Sequence, residues 1–360
     1  MKTIHPIILA ALALLATTLP GTADITIRVS VKFFTDASGN PPAVDATRGP
    51  TPEFDTPQAI AQWLVDGCND SPDLLQRGYR FVLSENAVIL PVSLANWYSV
   101  DPRDGPAKGN LEAIARLDPF SFRYRANAVN IYINNFPTSG SCSYPANGTI
   151  TFLGRDVYRA LVAHEAGHFF GICHTQGCQC DGTADTNPGD VLCRTQPGND
   201  NLNDTLTDLD TWSMDQLAMT AFGFIYSAPE VSAAQRTQVD YTFQNLMSYH
   251  NNDPLPDGTP NPYNLLTQDQ LDLYGSTANN QRRAQVSGTS WFVAADGADV
   301  SGRGLNSASP LRTVAGTLLF VSSADDVVLL RSATYLAPPG GNIATACTLR
   351  ATRGPVTLTR

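Results

Sequence analysis

Three histidines, a glutamate and a glycine stand at set offsets in the run His164-Glu165-Ala166-Gly167-His168-Phe169-Phe170-Gly171-Ile172-Cys173-His174, an HExxHxxGxxH pattern. The whole chain has five histidines, and three of them fall here. His164 and His168 are four residues apart, so on a helix they share one face. Two imidazoles placed that way can hold one Zn²⁺ at about 2.0–2.1 Å each. Glu165 is turned about 100° from His164 around a helix of about 3.6 residues per turn, which sets its carboxylate near the position a water would take on the metal. Gly171 has no Cβ and can adopt a positive φ, so the helix can stop and the chain can turn sharply. That turn would return His174 as a third ligand. Three protein ligands and one water compose a catalytic zinc site, whereas a structural site fills the fourth position with protein. A buried helix with satisfied core histidines accounts for one such residue, but poorly for three at ligand spacing.

The elements that must position these residues can be read on either side. The helix carrying the run is expected from about Arg155 to Phe170. Val157, Leu161, His164 and His168 form one stripe, and Tyr158, Val162, Phe169 and Phe170 make the rest largely apolar, the mark of a buried helix. Near the start, Ile25, Ile27, Val29, Val31 and Phe33 alternate with Thr26, Arg28, Ser30 and Lys32, which predicts a half-buried strand. Residues 35–56 read as loop. Thr56-Pro57 opens a helix to about Cys68, with Ile60, Trp63 and Leu64 on its core face. Strands are expected at Tyr79–Leu83, Ala87–Leu90, Ala128–Ile133 and Thr149–Leu153, and a short helix at Leu111–Leu117. That order is an α+β layout. Beyond the run, residues 175–210 are dense in Asp, Asn, Gly and Thr. Asp181, Asp185, Thr186 and Asp190 offer the oxygen donors that Ca²⁺ prefers, with a solvated acidic loop as the alternative. Thr211–Phe224 is expected to be helical with Trp212, Met219 and Phe222 inward. Thr267 to about Arg283 is expected to be a second helix, with Leu271 and Tyr274 inward.

The histidine run resembles the zinc signature of the metzincin metalloproteases. Those proteins carry a methionine turn downstream, and Asn245-Leu246-Met247-Ser248-Tyr249 stands here. The segment HTQGCQCDGTADTNPGD (174–190) resembles the corresponding stretch of the pappalysin and cytophagalysin family, and Leu266-Thr267-Gln268-Asp269-Gln270 resembles that family's later helix start. The resemblance implies a twisted mixed sheet backed by helices, with a small irregular lower subdomain. It implies Zn²⁺ on His164, His168 and His174, Glu165 as general base, and Met247 as a hydrophobic base beneath the ligands. Tyr249 would hydrogen-bond a developing oxyanion, and the 175–210 stretch would bind calcium. Thr149–Leu153 would be the sheet edge that holds a peptide substrate as an added strand. His250 is expected to be structural or exposed. The implied activity is that of a zinc-dependent endopeptidase. An adhesion protein built on an inactive scaffold, and a zinc hydrolase for non-peptide substrates, are the alternatives. The retained Glu165 speaks against the first and the edge strand against the second.

From about Ser287 the character changes. Trp291-Phe292-Val293-Ala294, then GRGLNSASPLRTV (302–314) and DDVVLLRSATY (325–335), resemble the opening of right-handed parallel β-helix proteins of the pectin-lyase type. The boundaries expected are 24–284 for the protease-like domain and 285–360 for a β-rich region. That region would be either early rungs of a solenoid, with polysaccharide contact, or a small appendage.

Composition sets the remaining bounds. Of 360 residues, 42% are hydrophobic and 16% charged, a globular balance. A net charge of −10 argues against nucleic acid or an anionic membrane as the main partner. Residues 1–23 read as a secretory signal, with Lys2, an apolar stretch from Pro6 to Ala16, and small residues before Asp24, so a secreted, extracellular protein is expected. Seven cysteines in such a chain suggest disulfides, with an odd one over. Cys178 or Cys180 is expected to pair with Cys193. A second zinc site built from these cysteines is the weaker alternative in an oxidising compartment.

Overall fold

The structure is a computed structural model. It describes residues 25–48, 54, 56–142, 148–176, 197–198, 200–250, 253–305, 307–338, 343, 345–352 and 354–359. The leader, the four acidic-loop positions Asp181, Asp185, Thr186 and Asp190, and the Cys178, Cys180 and Cys193 pairing lie outside the described residues.

In chain order the first part comprises β1 (Ile25–Phe33), β2 (Asp45–Arg48), α1 (Pro57–Cys68), α2 (Pro72–Gln76), β3 (Tyr79–Leu83), β4 (Val88–Ile89) and α3 (Gly105–Leu117). Next come β5 (Val129–Ile133), β6 (Gly140–Cys142), β7 (Ile150–Leu153), β8 (Asp156–Tyr158) and α4 (Leu161–Phe169). The second part holds α5 (Met214–Phe222), α6 (Ala233–Phe243), α7 (Gln268–Asn280) and α8 (Arg283–Val286). The last part holds β9 (Ser290–Val293), α9 (Val314–Leu318), β10 (Val327–Leu330), β11 (Ala333–Leu336), β12 (Thr348–Ala351) and β13 (Val356–Thr359).

The main sheet is mixed and mostly parallel. Its order is β3-β1-β5-β7-β6, with β4 also on β1, and only β6 runs antiparallel to its neighbour. On one face Ile27, Val29, Val31 and Phe33 meet Ile60 and Leu64 of α1, Leu161, Val162 and Phe169 of α4, and Leu271 and Tyr274 of α7. The α1 start is as read: Thr56 Oγ1 accepts from Ala59 N at 3.2 Å, and Pro57 takes the first helical position, where no N–H is needed.

The structure corrects several expectations. The helix of the histidine run starts at Leu161, not Arg155, because Asp156–Tyr158 commit their backbone to a parallel pairing with β2. The strand before it, β7, is interior to the sheet, and among the described residues the strand at that end is β6. All four β7 residues are buried, as an inner strand requires. Helix α3 begins six residues before Leu111, where Asp104 Oδ1 accepts from Ala107 N at 3.4 Å ahead of Gly105-Pro106. Met219 is exposed, because α5 turns Met214, Leu217 and Ala218 inward instead. Helix α6 was not expected at all, although Ser232 and Gln235 form a reciprocal capping box at its start.

The largest correction concerns β1, which is buried on both faces. Its polar side is roofed by the C-terminal part. Phe292, Ala294, Val327 and Leu329 share one buried cluster with Phe120, Phe122, Tyr132 and Phe152. Arg28 Nη1 donates to Gly288 O at 3.0 Å, Gln285 Nε2 to Ala126 O at 2.8 Å, and Asn127 N to Ser290 Oγ at 3.1 Å. An Arg125 guanidinium N–H donates to Leu305 O. Lys32 is fully buried, and its Nζ donates to Asn130 Oδ1 at 2.6 Å and Ser30 O at 3.1 Å. Burial holds that amine well below its ordinary value, with Glu85 pulling the other way. Within the C-terminal part the strands are parallel and in register, in the order β12-β10-β9, with β11 on β13. No helix among the described residues is long and apolar enough to cross a membrane.

Candidate metal centre

Helix α4 is packed on all sides, and each of its nine residues is buried. His164 and His168 lie one turn apart on it. The helix ends as the sequence requires. Gly171 sits at φ +93°, Gly171 N donates to His168 O at 2.9 Å, and Ile172 N donates to Gly167 O at 2.9 Å. This is a Schellman ending, in which a left-handed glycine lets two backbone N–H groups satisfy the last carbonyls. The Arg282 guanidinium completes the cap, donating to Phe169 O at 2.9 Å at the negative end of the helix dipole.

The reversal brings His174 back onto the helix. Its Nε2 lies 3.2 Å from His164 Nε2 and 3.0 Å from His168 Nε2. All three imidazoles are buried, and one nitrogen from each meets the others within 4.8 Å. Two ligands each about 2.0–2.1 Å from a tetrahedral zinc ion stand roughly 3.3 Å apart, and His174 Nε2 stands close to that distance from each of the two helix histidines. The outer nitrogens fix the tautomers. His164 Nδ1 lies 2.7 Å from Leu246 O, and His168 Nδ1 lies 2.8 Å from Ile172 O. A carbonyl only accepts, so each Nδ1 carries its hydrogen and each Nε2 offers a lone pair to the shared point. Burial, then the neighbouring His164, pushes the His168 pKa well below its ordinary value, which keeps that ligand neutral. The residues present therefore fit a divalent metal such as zinc.

Glu165 is buried, one position after His164 on α4. Met247 is fully buried against the middle of the helix, and a Cβ added at Gly167 would lie 2.2 Å from its Sδ. Gly167 is therefore the gap in the metal helix that the methionine turn fills. Tyr249 is half-buried, with its hydroxyl 3.3 Å from His174 Nδ1 and its ring 4.4 Å from the imidazole. Cys173, next to the third histidine, is disulfide-bonded, while Cys68 and Cys347 are free. Burial raises the Cys68 thiol.

The later helix start braces the turn. Thr267 and Gln270 form a capping box, and Gln270 Oε1 also accepts from Asn245 Nδ2 at 2.9 Å. Asn245 Oδ1 in turn accepts from Met247 N at 2.9 Å. His250 is not exposed. It is fully buried between Asp208 Oδ1 at 3.0 Å and Asp253 Oδ2 at 2.9 Å, and its ring stacks on Phe243. Burial alone would lower its pKa, but hydrogen bonds to Asp208 and Asp253 outweigh that and raise it to about 9. Asp208 Oδ2 also accepts from Thr175 Oγ1 at 3.2 Å and Gln176 Nε2 at 2.6 Å, tying the residues after His174 to the methionine turn.

Two contributors escaped the sequence reading. Asp208 stands in a stretch where acidic residues are common, and only contact reveals its role. Tyr263 donates no motif either, yet its hydroxyl lies 2.7 Å from His164 Nδ1. No protein-family model matches the chain, and no curated protein matches it. Among solved structures it is similar to the one titled Tannerella forsythia mature mirolysin in complex with a cleaved peptide. That match covers 74% of this chain and 97% of the other, at 14% identity and a TM-score of 0.37. The chemistry of this chain accordingly rests on its own residues.

Proposed function

We propose that this protein is a secreted, zinc-dependent endopeptidase of the metzincin type. The observation that carries the reading is the convergence of three buried imidazoles, with His174 Nε2 3.2 Å from His164 Nε2 and 3.0 Å from His168 Nε2, and with a carbonyl on the outer nitrogen of His164 and of His168. Zinc held by His164, His168 and His174 would supply Lewis acidity and make a water acidic near neutral pH. Glu165 then serves as general base, taking a proton from the attacking water and delivering it to the leaving amine. Tyr249, beside His174, donates toward the oxygen that gains charge. With β7 interior, among the described residues β6 (Gly140–Cys142) is the strand at that end of the sheet, and an extended peptide substrate would pair with its backbone. Calcium on the acidic loop, with Asp181, Asp185, Thr186 and Asp190 as donors, belongs to the same proposal. The in-register parallel pairs β12-β10-β9 and β11-β13 support reading residues 285–360 as early rungs of a β-helix.

The test is zinc content together with cleavage of an unfolded protein, in wild type and Glu165→Ala. Expected is about one zinc in both and cleavage by the wild type only. Folded wild-type protein without zinc, or equal cleavage by both forms, would overturn the reading.

A further inference from the structure

Tyr263 stands at φ +49°, in the left-handed region that side chains of L-residues rarely adopt, and it is buried. Its backbone is held there. Tyr263 N donates to Asn261 Oδ1 at 2.9 Å, while Asn261 Nδ2 donates to Phe243 O at 3.1 Å and His250 O at 3.0 Å. Just beyond, Leu265 N donates to Gln244 O at 3.2 Å and Leu246 N to Leu265 O at 2.8 Å. Residues 261–265 thus form a strap fastened along the methionine turn at both ends. The strap presents a phenol to the metal centre. Its hydroxyl is 2.7 Å from His164 Nδ1, and its ring lies near-parallel to the imidazole, 24° apart at a centroid distance of 6.0 Å.

His164 Nδ1 therefore meets two oxygens at 2.7 Å, Leu246 O and Tyr263 Oη. The carbonyl fixes the hydrogen on Nδ1, and the phenol oxygen meets the same N–H from a second direction. Electron-rich partners on the outer nitrogen orient an imidazole and make its other nitrogen a better donor to a metal. A backbone held in an unfavourable conformation beside such a contact points to a role at the site.

We propose that Tyr263 is a positioning residue of the metal centre, whose hydroxyl orients His164 and strengthens its Nε2 as a ligand to a divalent cation. This role rests on the metal-hydrolase reading. Tyr263→Phe keeps the ring and removes only the hydroxyl. The experiment measures zinc affinity of the full chain by competition with a chromophoric chelator, and the visible spectrum of the cobalt(II)-loaded protein, with thermal melting alongside. Expected for Tyr263→Phe is zinc binding weakened about 10–100-fold and a shifted cobalt band. Equal affinity and superimposable cobalt spectra overturn the role, as does a lowered melting temperature with metal binding unchanged, because packing alone would then explain the residue. Should Tyr263→Phe fail to fold, 3,5-difluorotyrosine placed at 263 nearly keeps the size, and at a pH low enough to hold its more acidic phenol protonated it makes the hydroxyl a poorer acceptor. Weaker zinc binding then supports the role and unchanged binding overturns it. Wild-type protein that binds neither ion fails the metal-hydrolase reading itself, a result distinct from any difference between the two forms.

Discussion

The two faces of the central sheet are built on opposite principles. The face toward α4 is apolar, with Ile27, Val29, Val31 and Phe33 set against the helix that carries His164 and His168. The opposite face carries Arg28, Ser30, Lys32 and Asn130, and yet it is covered. There the roof is residues 285–360, joined by Phe292 and Leu329 and by hydrogen bonds to carbonyls and amides. An alternating strand signals which face is apolar. It does not say whether the polar face meets water or a second layer with partners for each polar group.

The strongest way to break this comparison is Phe292→Ala. If the roof belongs to the same cooperative unit as the metal helix, that substitution costs about 3–5 kcal/mol and lowers a single melting transition. A separate low-temperature transition, with the metal site still intact above it, would show the roof to be a detachable appendage. Next comes His250. Its pKa is raised from 6.5 to about 9 in the folded protein, so folding takes up protons between these values. The stabilisation is full below about pH 6.5 and is lost as pH rises through 9, on the order of 3 kcal/mol in all at about 1.4 kcal/mol per pH unit. Urea melts from pH 6 to 10 should show the decline, and His250→Gln should flatten it.

Gly167→Ala probes the apolar face at the site. The added methyl meets Met247 Sδ, and overpacking of this kind costs roughly 1–3 kcal/mol. Zinc affinity should fall with it, measured by chelator competition, because the methionine must move against the helix between two ligands. The smallest effect is expected for Lys32→Met on the polar face. Replacing a buried amine with an apolar chain of similar size should cost little or no stability at neutral pH. Its pH signature runs opposite to that of His250. The depressed amine leaves the unfolded chain holding more protons, so stability rises from the lowered value up to the ordinary lysine range. Lys32→Met should abolish that rise in an alkaline melt series.

The histidine cluster was legible because its geometry is local. His164, Glu165 and His168 need only one helical turn, and Gly171 needs only its own φ, so the spacing of residue types fixes their relation. The capping signals at Thr56 and Thr267 were legible for the same reason. The early start expected for the metal helix failed because Asp156–Tyr158 are claimed by β2, more than a hundred residues earlier in the chain. The edge of the sheet failed likewise, since strand order is a matter of which distant backbones pair and not of any one strand's pattern.

By itself, then, the sequence determined the histidine trio, the turn that returns its third member, and the apolar face the helix packs on. Tertiary structure alone decided the rest. It set Leu246 O and Tyr263 on the outer nitrogen of His164, buried His250 between Asp208 and Asp253, and closed the polar side of β1 with the C-terminal strands. The physical reason is range. Helix periodicity and glycine conformation act over a few residues, whereas hydrogen-bond partners and layer packing join segments whose separation no local pattern records.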